Sequence, residues 1–326
     1  MGFKFSSFIG GGYPNHPPIM WPILRTKPGG SYRGFAIPIF IRNIQYHLTT
    51  VDAYADGAIE VWGLVDRELF GSKLRSGWVW PQPPEGGRIS VFNLGFCDVG
   101  EGKWIRSQAE ISEFVDRAIR INNPKMTGLL NLEGSEIEMK GKVKCFKLQC
   151  ADDCPIRLAD DGLEIAGCEV PAFAMSGREC RLTRAFIFSD GTARIGADGE
   201  TTTQEAIYEA FGSGQLVTSI PDATIVEVEG LGRFTAMNGN WFVRPSERVK
   251  EIRDLVAQLA GQREAVAICR EAMQAYETNP SEVPRSRLRQ AYEAVPEHLR
   301  RFCGDMDSKD SQIKRVLYGD KGRDIE

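Results

Sequence analysis

The sequence predicts an α+β fold: two tandem copies of an antiparallel β-sheet-plus-helix module, followed by a C-terminal helical subdomain. Three observations carry this reading. An Asp-Gly hairpin signal occurs twice, at Asp56-Gly57 and Asp190-Gly191. The same residue types flank both hairpins in the same order. An amphipathic helical pattern closes each repeat, and only helical patterns follow the second.

Residues 1–33, with Gly10 to Gly12, Pro14, Pro17 and Pro18, read as an irregular N-terminal segment. Copy 1 spans 34–121. Its hairpin runs through Tyr54-Ala55-Asp56-Gly57-Ala58-Ile59, where Asp-Gly supplies the positive φ angles of a tight turn. Ser107 and Glu110 form a capping-box pattern, and Ile111, Phe114, Val115 and Ala118 then recur at helical spacing. A connecting segment, 122–166, holds strand-like Ile137 to Met139 and Val143 to Leu148. Copy 2 spans 167–261. Its closing helix carries Val249, Ile252, Val256 and Leu259, with Gly261 placed to end it.

The duplication is read from ordered pairs. Pro38 matches Pro171, and the hairpins match at Asp56 and Asp190. Downstream, Ser76-Gly77 matches Ser213-Gly214, Leu94-Gly95 matches Leu231-Gly232, and Trp104 matches Trp241. The helical tail, 262–326, reads as several short helices. One ends at Asn279-Pro280, one has Pro284 in its first turn, one runs from Pro296 to Phe302, and one follows Ser308.

Composition is that of an ordinary folded chain: 42% hydrophobic, 26% charged, net charge -4 over 326 residues. A mildly acidic chain has no overall attraction to nucleic acid. No apolar run approaches the roughly 20 residues that span a bilayer, and the first residues lack the pattern of a secretory signal. Eight cysteines in such a chain read as reduced thiols, so a cytoplasmic setting is expected.

The copies differ where large aromatics stand. Trp62 faces Gly196, Trp78 faces Gln215 and Trp80 faces Val217 in the alignment. Large rings away from a core anchor interfaces, so Trp62, Trp78 and Trp80 are the binding candidates. Trp104 and Trp241 are shared and read as core. For catalysis the candidates are His47, Asp52 and Asp56, at the junction of the modules. His47 stands where copy 2 has Arg181. His298 reads as a surface residue.

Cys145, Cys150 and Cys154 are weak metal candidates. Only Cys150 and Cys154 are closely spaced, with no second pair and no nearby histidine. Asp305, Asp307 and Asp310 mimic a calcium loop, but Lys309 and Val316 stand where ligands belong, and Asp307 or Ser308 as a helix N-cap explains the run. No cofactor is expected. Phosphate-loop, nucleophile-elbow, kinase and zinc-protease motifs are absent.

The run Gln45-Tyr46-His47-Leu48, the hairpin through Trp62-Gly63-Leu64-Val65-Asp66, and the tail Tyr292 to Leu299 with Gly304 to Asp307 resemble an uncharacterised family of bacterial proteins. The resemblance implies a bacterial cytosolic origin and transfers no activity. The leading expectation is a non-enzymatic interaction protein, an adaptor, immunity or anti-phage defence component that binds a protein partner through copy 1. The alternative is an enzyme with a site at the module junction. A second alternative is nucleic-acid binding through Arg285, Arg287, Arg289, Arg300, Arg301, Lys314 and Arg315, although Glu282, Glu293 and Glu297 dilute that charge.

Overall fold

The structure, a computed structural model, describes residues 19–27, 30–131, 137–140, 143–146, 153–176, 179–305 and 307–319. Copy 1 comprises β1 (Trp21–Lys27), β2 (Gly30–Asn43), β3 (Gln45–Tyr54), β4 (Ile59–Glu60), β5 (Leu64–Val65), α1 (Arg67–Arg75), β6 (Val79–Trp80), β7 (Arg88–Val91), β8 (Gly95–Trp104) and α2 (Gln108–Asn122). A separate hairpin follows, β9 (Ile137–Lys140) and β10 (Val143–Phe146). Copy 2 comprises β11 (Asp153–Leu158), β12 (Glu164–Ser176), β13 (Glu179–Phe188), β14 (Thr192–Ile195), β15 (Thr202–Thr203), α3 (Gln204–Ser213), β16 (Leu216–Val217), β17 (Thr224–Val228), β18 (Gly232–Trp241) and α4 (Pro245–Leu259). The tail holds α5 (Ala265–Thr278), α6 (Glu282–Ala294), a 3-10 helix (Glu297–Phe302) and α7 (Ser311–Tyr318).

The expected α+β character, the tandem copies and the helical end are all present. Both Asp-Gly hairpins form, with Gly57 and Gly191 at φ of 80° and 81°. The α2 capping box is complete: the Ser107 hydroxyl accepts from the Glu110 N–H, and the Glu110 carboxylate accepts from the Ser107 N–H at 2.8 Å. Residues 21–27 and 30–33, expected to be irregular, form β1 and the start of β2.

The copies do not build two separate antiparallel sheets. β2 pairs antiparallel with β3, but the first half of β3 pairs parallel with β7, and β7 pairs antiparallel with β8. Copy 2 repeats this through β12, β13, β17 and β18. Parallel neighbours require a long crossover, and here β4, β5, α1 and β6 supply it. Two antiparallel seams join the copies, β8 with β18 and β1 with β11. The path β1-β2-β3-β7-β8-β18-β17-β13-β12-β11 therefore returns to β1. It is a closed ten-stranded barrel whose two seams each join equivalent strands. That relation is a pseudo-two-fold axis.

This axis exchanges the matched Gly and Trp residues. Gly95 opposes Trp241 and Gly232 opposes Trp104 across the β8–β18 seam. A Cβ on Gly95 would collide with the Asn240 carbonyl, and one on Gly232 with the Lys103 carbonyl. Close backbone approach, repeated by symmetry, accounts for both pairs.

Side chains alternate across each strand wall. The outward residues Ile37, Ile39, Ile41, Val51 and Ala53 pack with Ile111, Val115 and Ile119 of α2. Their counterparts in copy 2, such as Val170, Ala172 and Ala185, pack with Ile207 and Phe211 of α3 and Ile252 of α4. Inward residues form two interior clusters. One holds Phe40, Leu182, Phe173, Val228 and Phe234. The other holds Trp21, Ala36, Tyr54, Phe186 and Phe188. Along β2 the inward series runs Phe40, Pro38, Ala36, and along β13 it runs Leu182, Arg184, Phe186. The middle member of each belongs to neither cluster.

The helical tail has its own core of Val266, Cys269, Met273, Leu288, Tyr292 and Leu317. A buried polar network ties it to the barrel. Arg248 of α4 donates to the Glu251 carboxylate and the Asn93 carbonyl, and His298 Nε2 lies 2.9 Å from Glu251 Oε2. His298, expected at the surface, is thus buried, because its ring supplies a polar partner to a carboxylate removed from water. Burial pushes the Arg248 pKa down, opposed by Glu251.

Candidate functional site

The site arises where the strands fork. Tyr46, His47 and Leu48 of β3 pair with β7, whereas Asp52 and Ala53 pair with β4. In copy 2, Cys180 to Leu182 pair with β17 and Ala185 to Ile187 with β14. Each fork leaves the middle of its strand without a paired strand on that side, and the residues around it decide whether the gap is filled.

Copy 2 fills its fork with charge. Glu229 is 5% exposed, and its carboxylate accepts from Thr183 Oγ1 at 2.8 Å and from the Ala197 N–H at 2.7 Å. Arg181 lies 3.6 Å from Glu227 and 3.9 Å from Asp198. Burial pushes the Glu229 carboxyl up, against the two hydrogen bonds.

Copy 1 leaves its fork open and lines it with rings. At the position of Glu229 stands Phe92, 68% exposed. At the position of Gly196 stands Trp62, 47% exposed. His47 and Ser90 replace Arg181 and Glu227. The Trp62 ring centre is 4.8 Å from that of His47 and 6.1 Å from that of Trp78. Trp62 has φ of 54°, and Gly196 has φ of 78°. The left-handed conformation suits glycine and costs a larger residue about 1–2 kcal/mol. A tryptophan held there against its own backbone preference points to a function.

Behind this opening lies a cavity of about 390 Å³, bounded on one side by Val91, Leu182 and Val228 of the first interior cluster. It straddles the pseudo-axis, since its lining comes in equivalent pairs: Pro38 with Pro171, Leu48 with Leu182, Thr49 with Thr183, Val91 with Val228. Where the pairs diverge, the cavity becomes asymmetric. Thr50 is matched by Arg184, and Phe92 by Glu229, while Glu169 stands where copy 1 has Ala36. Arg184 Nε lies 2.8 Å from Glu169 Oε1. Burial pushes the Glu169 carboxyl up, Arg184 opposes this, and Glu229 adds to it. Copy 1 thus supplies aromatic surface and copy 2 supplies charge.

The residues singled out from sequence are divided by this geometry. Trp62 and His47 line the cavity. Trp78 is half-buried against the α2 side core, with Lys73 Nζ 3.5 Å from its ring centre. Trp80 is half-buried and donates from Nε1 to the Gln82 carbonyl at 2.7 Å. Asp56 sits in the hairpin turn, 2.6 Å from the Arg25 guanidinium. Neither Asp56 nor Asp52 lines the cavity. Cys154 lies on β11, Cys145 is on β10 with its side chain outside the described residues, and Cys150 lies outside them altogether. Among the described residues no group of three metal-ligating side chains comes together, and no disulfide joins the cysteines.

Asp305, not Asp307 or Ser308, organises the acidic turn of the tail. It accepts from the N–H groups of Asp307 and Ser308, and Asp310 takes the N-cap position of α7. Four of the seven basic residues singled out in the tail hydrogen-bond within the protein. Arg285 and Arg289 donate to the carbonyl of Leu317, Arg300 to that of Val295, and Arg301 to Asn93 Oδ1. No helix among the described residues is long and apolar enough to cross a membrane.

Glu169, Arg184, Phe92 and Glu229 were missed by sequence reasoning. The signal for them was the alignment of the copies: Phe92 against Glu229 and Thr50 against Arg184 are divergences between flanking matches.

A profile described as a domain of unknown function (DUF7638) matches residues 22–126 and again residues 158–263. A second, also described as a domain of unknown function (DUF7639), matches residues 264–326. No curated protein and no solved structure matches the chain.

Proposed function

The chain belongs to the DUF7638 family, in two tandem copies, and we propose that it is a binding protein that takes a small molecule into the barrel through the open fork of copy 1. One observation carries this. A cavity of about 390 Å³ lies on the pseudo-axis with aromatic residues on one half and charged residues on the other. Small-molecule sites are typically concavities of about 300–1,000 Å³ in which a few polar groups fix orientation. The duplication supplies the scaffold, and divergence of the lining supplies the recognition.

The test is a thermal-shift screen of a small-molecule library on wild type and on Thr50→Phe, which places a ring inside the cavity. Compounds that raise the melting temperature of wild type and lose that effect in the filled variant support the reading. Hits that persist in Thr50→Phe, or a screen without hits, count against it.

A second reading keeps a protein partner, with an adaptor or defence role, at the same place. The exposure of Trp62 and Phe92 favours it. A partner resting on these rings from outside is retained by Thr50→Phe and lost from Phe92→Glu. A small ligand inside the cavity is instead lost from Thr50→Phe.

A further inference from the structure

We propose that the cavity takes an organic cation, an amine, amidine or guanidine carried on a planar apolar ring. The inference rests on the reading of the cavity as a ligand site, and it names the ligand class.

Charge is the first ground. The copy 2 half of the lining holds two carboxylates, Glu169 and Glu229, and one guanidinium, Arg184. Arg181 and Arg194 act on Glu229 from outside the lining, so Glu169 is the carboxylate left for a ligand cation to meet. An anion would meet two carboxylates, and Arg184 is already paired with Glu169 at 2.8 Å. Hydrogen bonding is the second. Arg184 engages Oε1 of Glu169, whereas Oε2 is buried and has no hydrogen-bond partner. Buried acceptors are normally satisfied, and an N–H donor arriving through the cavity is the partner this carboxylate lacks. The rim is the third. Trp62 and Phe92 present ring faces that stack on a planar body and attract a cation. Neither ring has a counterpart in copy 2, which carries Gly196 and Glu229 there.

The titration of Glu169 agrees with this geometry. Burial holds its pKa above the ordinary value. A neighbouring cation favours the ionised form, so binding and deprotonation of Glu169 are linked. Affinity for a permanently charged amine therefore falls as pH drops through the raised pKa.

The experiment is calorimetric titration of the full chain with tryptamine, indole and indole-3-acetate, which carry one ring with positive, zero and negative charge. Wild type, Glu169→Gln and Trp62→Gly are compared, each checked for a cooperative melt. Tryptamine is expected to bind roughly tenfold or more tightly than indole, and indole-3-acetate most weakly. Glu169→Gln brings tryptamine to the level of indole and leaves indole unchanged. Trp62→Gly installs the residue that copy 2 carries in the same conformation, so the fold persists while all three ligands weaken. The wild-type preference for tryptamine shrinks at acidic pH, and that of Glu169→Gln does not change. Tightest binding by indole-3-acetate, or tryptamine binding indifferent to Glu169→Gln, overturns the cation class and leaves the cavity as a ligand site. Failure of all three to bind, with a screen in which Thr50→Phe abolishes no hit, overturns both.

Discussion

Glu229 and Phe92 occupy equivalent positions, and the contrast between them has a consequence for stability. The Glu229 carboxylate is buried with two hydrogen bonds, and burial holds its pKa above the ordinary 4.5. A carboxyl with a raised folded pKa binds its proton more readily in the folded chain than in the unfolded one. Its contribution to stability is full below the unfolded value and is lost as pH rises through the folded value. Glu229→Gln keeps the size and an acceptor oxygen and removes the titration. Urea unfolding between pH 4 and 8 should show the variant gaining on wild type as pH rises above about 4.5. A difference that stays constant with pH would refute the assignment. Legibility at this scale was partial. Trp62 against Gly196 was visible in the alignment, but φ of 54° was not. The pairing of Asp56 with Arg25, 31 residues away, leaves no local mark in the sequence.

The elements read most easily were those with local chemistry. The capping box of α2, both Asp-Gly hairpins, and the Asn279 and Gly261 helix ends are written in adjacent residues and all form. In α2 the Ser107 cap satisfies an N–H that would otherwise be left open. Ser107→Ala should therefore lower unfolding free energy by about 1 kcal/mol, measured by urea denaturation. An unchanged midpoint would mean that packing of Ile111 and Val115 alone holds the helix start. Short elements were harder. α1 and α3 went unseen, although Asp66 and Thr203 cap them by accepting from the N–H groups of Leu69 and Ala206. Each buries only a few apolar residues, Phe70 and Leu74 in the first case, too short a stripe to stand out from a loop. β1 and β11 were hidden for another reason. Each forms a hairpin with the strand that follows it, but its other edge meets only the equivalent strand of the other copy, far away in sequence.

At the level of the whole molecule, the repeat predicted two units and the structure joins them into one. The β8–β18 and β1–β11 seams leave neither copy a complete barrel by itself. A single copy exposes β1 and β8 as open edges, which pair readily with other strands. Residues 19–126 and 153–263, produced separately, should each self-associate or aggregate, and should form a one-to-one complex when co-expressed. Sedimentation analysis measures this. A monodisperse, folded monomer of either copy would show that the barrel is an association of independent domains. The closed ring could not be read from sequence because periodicity reports which face of a strand is buried and is silent on which edge it meets.

The pseudo-axis through the cavity also bears on what a pocket of this kind is able to distinguish. Two identical subunits closing the same ring would repeat every lining residue on both sides, so their pocket would present the same chemistry to each end of a guest. Joining the copies in one chain removes that constraint. Thr50 and Arg184, or Phe92 and Glu229, are free to change separately. The guest's two ends then meet different walls, and covalent tandem arrangement becomes the source of its orientation.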